Sequence, residues 1–118
     1  MIRQAPSHVW IAGFLVLAAL ASVIAPSSAP IVAQERETLL AQGKALFTEK
    51  GCYGCHTIGP MGTPIAPDLS RVGRKYREGD LARWLADPSA QRPMRHMPKL
   101  ELSETEAGAV AAFLASLP

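Results

Sequence analysis

The longest run of hydrophobic positions lies near the start of the chain. Residues 9–25 contain no charged side chain, and Ser22 is the only polar one among them. As a helix this run would reach about 25 Å, close to the lower limit for crossing a hydrocarbon layer of about 30 Å. It predicts, for residues 1–25, either a membrane anchor or the core of a secretory signal, and its length favours retention as an anchor. Both interpretations export residues 34–118 from the cytoplasm.

The segment that follows has a different composition. Residues 26–35 are dominated by proline, serine and alanine, which predicts a linker between the apolar run and the rest of the chain. Two stretches, Ala19-Leu20-Ala21 and Ile31-Val32-Ala33, resemble the small-residue sites at which secretory signals are cleaved. The sequence therefore leaves both cleavage and retention open.

Hydrophobic positions at helical spacing predict three helices in residues 36–118. The first covers residues 36–50. The second is short, with Asp80 as its N-cap and Pro88 at its end, and the third follows a capping box of Ser103 and Glu106. The three apolar stripes are Leu39, Leu40, Gly43, Leu46 and Phe47; Leu81, Trp84 and Leu85; and Val110, Phe113, Leu114 and Leu117. Residues 57–73, rich in glycine and proline, predict a loop. Without an alternating strand pattern, the fold class is all-α.

Basic and acidic residues nearly balance over the whole chain, but they are unevenly distributed along it. The whole chain has a net charge of +2, whereas residues 71–99 hold eight basic and three acidic side chains, a net +5. Such a segment is either a solvated surface or a docking face for an acidic partner protein. An exported chain of near-neutral charge does not predict binding to nucleic acid.

The two cysteines of the chain stand beside a histidine in the sequence GCYGCH, residues 51–56. The spacing Cys52-x-x-Cys55-His56 is the attachment pattern of haem c. Cysteines one helical turn apart can bond the two vinyl groups of one haem, and His56 can then reach the iron. A redox dithiol would need a βαβ context, and a zinc site would need further ligands. A thin core of three helices also favours a bound group that fills it.

A closed haem iron requires a sixth ligand, and three methionines follow His56 in the chain. Met61 is only five residues beyond His56, too near to cross to the other face of the ring. Met97 precedes Pro98 in the connection between the second and third predicted helices, where a loop can reach the opposite face. Met97 is therefore the predicted ligand, with Met94 and His96 as alternatives.

Residues 37–118 resemble class I monohaem cytochromes c of bacterial type. Besides CYGCH, Gly43 and Phe47 resemble the family's N-terminal helix, which packs across the C-terminal helix, here at Phe113. APDL, residues 66–69, resembles the loop in which a proline carbonyl accepts the ring N–H of the haem-ligating histidine. The resemblance thus implies that Pro67 orients His56. It also implies a small cytochrome c fold, three to four helices around one covalently bound haem c, over residues 36–118.

The resemblance implies a one-electron carrier rather than an enzyme. Its haem c would be held through Cys52 and Cys55, ligated by His56 and Met97, and would pass electrons between redox proteins of a respiratory or photosynthetic chain. The partners would be redox proteins or a membrane complex, on the periplasmic side of a bacterial inner membrane, with residues 9–25 in the membrane if retained. The alternative is a haem protein with an open distal site, for gas binding or peroxidase-like chemistry. Trp84, on the face of Leu81 and Leu85, is expected in the core.

Overall fold

The computed structural model describes residues 30–91 and 97–118 of the chain. Its helices are α1 (Ile31–Glu49), α2 (Glu78–Ala86), α3 (Pro88–Gln91) and α4 (Glu104–Ala115). Short 3₁₀ turns lie at Cys52–Gly54 and Val72–Arg74, and a two-stranded hairpin pairs β1 (Thr57–Ile58) with β2 (Met61–Gly62). The predicted all-α class is confirmed, since the hairpin is the sole strand pairing in the described residues.

The core forms where α4 packs against both α1 and α2. Gly43 makes the crossing of α1 and α4 close, because a Cβ at this position would collide with the Ala109 carbonyl and with Phe113 Cβ. Phe47, only 1% exposed, stacks edge-on against Phe113 with 5.9 Å between ring centroids. The predicted packing of the first helix across the last is confirmed. The buried cluster comprises Leu46, Phe47, Val72, Leu81, Leu85, Ala107, Ala109, Val110, Ala111, Phe113 and Leu114.

Helix α1 begins at Ile31, five residues before the predicted start at residue 36. Pro30 is its N-cap residue, and residues 31–35 contain no proline or glycine that would interrupt a helix. The end of the predicted linker is therefore helical. Residues 1–29, which include the predicted anchor or signal, lie outside the described residues. In the part of the chain that the structure describes, no helix is long and apolar enough to cross a membrane.

The N-cap predicted for the second helix is wrong. Helix α2 begins at Glu78 after Arg77, whose backbone is extended, so Asp80 lies inside the first turn. There its carboxylate accepts a hydrogen bond from Arg83 on the next turn, and Glu78 forms a 2.9 Å ion pair with Arg36 of α1. Two carboxylates in the first turn suit the positive end of the helix dipole, which offsets the missing side-chain cap.

The capping box of α4 is confirmed. Ser103 Oγ accepts the backbone N–H of Glu106 at 3.2 Å, and the Glu106 carboxylate accepts the Ser103 N–H at 2.8 Å. Lys50, at the end of α1, forms a 3.2 Å ion pair with the same carboxylate. The Ser103 N–H, and then Lys50, hold the pKa of Glu106 below its ordinary value because both favour the ionised form.

We expect acid to weaken the fold in part through Glu106. A carboxyl whose pKa is lower in the folded than in the unfolded chain stabilises above the unfolded pKa, and this contribution disappears as pH falls through the folded value. The variant Glu106→Gln keeps a side chain that can accept the Ser103 N–H but cannot titrate. Urea unfolding from neutral pH down to about pH 3, below the ordinary glutamate pKa of about 4.3, should show a shallower loss of stability in the variant. Equal losses in the two proteins would contradict this role.

Candidate functional site

The two cysteines and the histidine lie in one tight turn directly after α1. The backbone N–H groups of Cys55 and His56 both donate to the Cys52 carbonyl, at 3.2 and 3.0 Å. Both thiols are free; Cys52 is half-buried and Cys55 is exposed. Burial raises the pKa of the Cys52 thiol, which therefore stays neutral at neutral pH. Neither sulfur is committed to a disulfide, so both are available for covalent attachment.

The imidazole of His56 is oriented by a backbone carbonyl. His56 Nδ1 lies 2.8 Å from the Pro67 carbonyl oxygen. A carbonyl only accepts hydrogen bonds, so Nδ1 carries a proton and donates it, and Nε2 is the ring nitrogen left to bind a metal. A neutral imidazole with its Nε2 free and its orientation fixed is the state in which histidine binds a metal.

The loop that carries Pro67 is fastened to the turn by the backbone. The Ala66 N–H donates to the Cys55 carbonyl and the Leu69 N–H to the Thr57 carbonyl, both at 2.8 Å. Sequence reasoning predicted an irregular loop here and missed these bonds, because no local pattern shows which carbonyl a distant N–H will reach. The bonds place the Pro67 carbonyl at a defined position against the His56 ring.

Asp68 and Ser70 give this loop its internal shape. The Asp68 carboxylate accepts the Ser70 N–H at 2.8 Å and the Ser70 hydroxyl at 2.5 Å, and these bonds lower the pKa of Asp68. The Ser70 Oγ in turn accepts the Gly59 N–H at 2.7 Å, from the turn of the hairpin. The hairpin and the Pro67 loop are therefore linked by side chains as well as by the backbone.

Gly62, in β2, permits the close approach of the hairpin to His56. Its φ of 101° lies in the left-handed region that favours glycine, and a Cβ there would collide with the His56 carbonyl oxygen. The neighbouring Met61 is 60% exposed on the hairpin. That Met61 is not the ligand stays a prediction, because the exposure of its side chain does not show which sulfur would bind the iron. Met94 and His96, the predicted alternatives to Met97, lie outside the described residues.

Met97 is half-buried and packs against the core. Its Sδ lies 3.3 Å from Nε1 of Trp84, an N–H group that can only donate. Trp84 itself is half-buried, unlike Leu81 and Leu85, which are buried on the same helix. The prediction of Trp84 as a core residue is wrong, since its side chain is half-buried and lies outside the buried cluster, and the sequence did not show its contact with Met97. Nothing in the sequence links two positions thirteen residues apart, one on α2 and one beyond the end of α3.

Several partly buried apolar side chains on the same elements as these groups pack against the buried cluster. Tyr53, in the cysteine turn, stacks edge-on against Phe47 with 4.8 Å between ring centroids. Others that pack on the core while staying partly open include Cys52, Ile58, Leu69, Met97 and Leu102. A flat, largely apolar group such as haem would cover such surfaces. Two free thiols, an oriented imidazole and a thioether are also the donors that haem c uses, so these residues fit the group.

Other metal chemistry has less support from the residues. Within residues 30–91 and 97–118, no three His, Cys, Asp or Glu side chains come together in a way that could hold a metal ion. The zinc site considered as an alternative would need such a group.

Comparison with known proteins identifies relatives of the domain. The sequence profile of the family described as Cytochrome c matches residues 40–118. Cytochrome c oxidase subunit 2 of Alkalihalophilus pseudofirmus is 34% identical over 95 residues, which cover 73% of this chain and 28% of that protein. A nitric oxide reductase subunit of Stutzerimonas stutzeri is 30% identical over 86 residues, covering 68% of this chain and 59% of the relative. The matched region is therefore less than two thirds of either relative's length.

Proposed function

This chain belongs to the cytochrome c family, and we propose that it carries single electrons between redox proteins of a respiratory or photosynthetic chain. When bound, haem c supplies an iron centre that alternates between the ferrous and ferric states. The observation that carries the proposal is the 2.8 Å contact between His56 Nδ1 and the Pro67 carbonyl. His56 is the residue directly after the cysteine pair. This contact leaves Nε2 of His56 to bind a metal, beside the cysteines that would hold the haem covalently.

Each residue of the site has its own part in this function. Cys52 and Cys55 would hold one haem through thioether bonds, which keeps the group in place whatever its oxidation state. His56 would bind the iron through Nε2, and Met97 would bind it through sulfur. With His56 and Met97 both bound to the iron, no site would remain for substrate, so the chain itself would make and break no bonds. A methionine ligand raises the reduction potential, as does burial by apolar side chains.

The names of the relatives support a respiratory setting. They are subunits of a cytochrome c oxidase and of nitric oxide reductases. We infer that the domain works on the periplasmic side of a bacterial inner membrane, as a relay beside a membrane complex or as one of its subunits. Retention of residues 9–25 would confine the domain near that partner and raise its effective concentration there; cleavage would leave a soluble carrier.

The visible absorption spectrum of the purified protein tests the proposal. We expect sharp low-spin bands in both oxidation states and, when oxidised, the weak sulfur-to-iron charge-transfer band of His/Met ligation. In the double variant Cys52→Ser/Cys55→Ser, the haem stain should disappear from the protein band on a denaturing gel, because no thioether bond can form. A high-spin spectrum in the unaltered protein would instead indicate an open distal site and a gas-binding or peroxidase-like function.

A basic surface near α2 supports recognition of acidic partners. Four exposed bases, which we call the basic turn, lie between the Pro67 loop and α2: Arg71, Arg74, Lys75 and Arg77. Three of them line an open groove together with the exposed Tyr76. Bases this close together give a positive potential that attracts negative charge at long range. Arg92 and Arg95, also in the basic segment, lie outside the described residues.

We expect electron transfer with an anionic reagent to slow by about tenfold as ionic strength rises from low to physiological, because salt screens the basic turn. Transfer with a cationic reagent of equal driving force should not slow. The double variant Arg74→Gln/Lys75→Gln should lose most of this salt dependence, whereas Lys44→Gln, an exposed base on α1, should keep it. Stopped-flow kinetics measures these rates. The same salt response in all three proteins would remove the basic turn from partner recognition.

A further inference from the structure

The hydroxyl of Ser70 joins the Pro67 loop to the hairpin. Ser70 Oγ donates to the Asp68 carboxylate at 2.5 Å and accepts the Gly59 N–H at 2.7 Å. Gly59 lies in the turn of the hairpin, which begins directly after His56. Asp68 directly follows Pro67, the residue whose carbonyl accepts the His56 Nδ1–H. We propose that Ser70 is a positioning residue that holds the loop against the hairpin, keeps the His56–Pro67 bond in place and lowers the reduction potential.

The charge on Asp68 sets the direction of both bonds. The hydroxyl and the N–H of Ser70 lower the pKa of Asp68, so at neutral pH its carboxylate is ionised and only accepts hydrogen bonds. A hydroxyl has one proton to donate, and the proton of Ser70 goes to Asp68. The lone pairs of Ser70 Oγ are therefore left for the Gly59 N–H. A hydroxyl polarised by a charged acceptor is itself a better acceptor, and Ser70 is half-buried, where water competes less.

Both segments that Ser70 joins touch His56. The hairpin lies against the His56 carbonyl at Gly62, and the loop reaches the imidazole at Pro67. Backbone bonds hold the base of each segment; the Thr63 N–H, for example, donates to a carbonyl of the cysteine turn at 3.0 Å. Such bonds do not depend on the identity of a side chain. The bond at the hairpin turn does, because it needs a hydroxyl at position 70.

The effect on potential rests on the proposed binding of iron by His56. An imidazole whose Nδ1–H is hydrogen-bonded is a more basic ligand through Nε2. Ferric iron carries the higher charge, so it gains more from a basic ligand than ferrous iron does. The His56–Pro67 bond should therefore favour the oxidised state, and a weaker bond should raise the reduction potential.

The test compares Ser70→Ala with Ser89→Ala in the haem-loaded protein. Ser89 Oγ donates to the Asp87 carboxylate at 2.6 Å, so each variant takes a hydroxyl from an aspartate two positions earlier and neither changes the charge. In reduced Ser70→Ala, we expect the His56 Nδ1–H to exchange with solvent about fivefold faster, the size of one hydrogen bond. The equilibrium constant for reduction should rise about twofold, or about 18 mV at 59 mV per tenfold. Ser89→Ala should change neither quantity.

Proton NMR of the reduced protein measures the exchange rate, and a potentiometric titration measures the potential. Ser70→Thr keeps the hydroxyl and should restore both values. An unchanged exchange rate or an unchanged potential in Ser70→Ala overturns the proposal, as does an equal change in Ser89→Ala. If the unaltered protein lacks the low-spin spectrum, the proposed function fails and this inference fails with it. A low-spin spectrum with no change in Ser70→Ala overturns this inference alone.

A second variant keeps the proposal testable if Ser70→Ala does not fold. Asp68→Asn weakens the same pair of bonds from the other end, because it replaces the charged acceptor with a neutral one. Loss of a charge shifts the potential by itself, so this variant is judged by the exchange rate of the His56 Nδ1–H. Faster exchange supports the role of Ser70, and an unchanged rate overturns it.

Discussion

Replacing Met97 with leucine is expected to abolish the sulfur-to-iron charge-transfer band and to lower the equilibrium constant for reduction at least tenfold, or about 59 mV. Leucine has nearly the volume of methionine, so the half-buried position stays filled and the fold should lose less than about 1.5 kcal/mol. It lacks the sulfur, so the iron would lose the proposed ligand that favours its ferrous state. The oxidised spectrum and a potentiometric titration measure the two effects.

The chain contains a matched control for this change. Met61→Leu removes another thioether, but from a side chain that is 60% exposed on the hairpin, and it should leave both spectrum and potential unaltered. A Met97→Leu protein that keeps the band would show that a different sulfur binds the iron. Met94→Leu would then be expected to remove the band, and Met97 would be reduced to a core contact.

Replacing Gly43 with alanine is expected to lower the free energy of unfolding by about 3 kcal/mol, the upper part of the range for overpacked cores. The added Cβ would collide with the Ala109 carbonyl, and backbone of a packed helix cannot turn aside as a side chain can. Helices α1 and α4 would have to separate along their whole contact, which includes Phe47 and Phe113. Urea unfolding followed by far-ultraviolet circular dichroism gives the free energy.

Gly108 provides the comparison, because it also lies inside a helix but a Cβ there would meet nothing within 4 Å. Gly108→Ala should raise the stability by about 1 kcal/mol, since alanine costs less than glycine to fix in a helix. The two substitutions are chemically identical and should act in opposite directions. If Gly43→Ala is also neutral or stabilising, the close crossing of α1 and α4 is not what limits the fold.

Some features could be predicted from the sequence because they depend only on residues that are close together in the chain. Ser103 and Glu106 stand three positions apart before an apolar stripe, and both partners of that capping box lie within one turn, so no distant contact was needed to predict it. The attachment turn is equally local. Asp80 shows the limit of such reasoning. It is a residue type that often caps helices, but α2 begins earlier, after the extended backbone of Arg77, and the Asp80 carboxylate pairs with Arg83 instead.

Features that depend on contacts between distant residues could not be predicted from the sequence pattern. Pro67 was identified only through a family resemblance, because its carbonyl meets His56 from eleven residues further along the chain, beyond the hairpin. Trp84 has the spacing of a core residue, and periodicity does not say toward which neighbour an indole N–H will point. The early start of α1 was missed for a different reason: residues 31–35 follow a proline-rich stretch, and composition averaged over both parts predicted a linker.

The crossing of α1 and α4 also bears on the timing of maturation. Gly43 and Ala109 touch in the fold but lie far apart along the chain, so the core cannot close until α4 has been synthesised. Joining distant segments is a slow step in folding, because the loop between them must be ordered before any packing is gained. During that interval the thiols of Cys52 and Cys55 would stay accessible for the proposed attachment of haem. The fold would thus favour one order of assembly, in which haem attachment comes first and α1 packs against α4 afterwards.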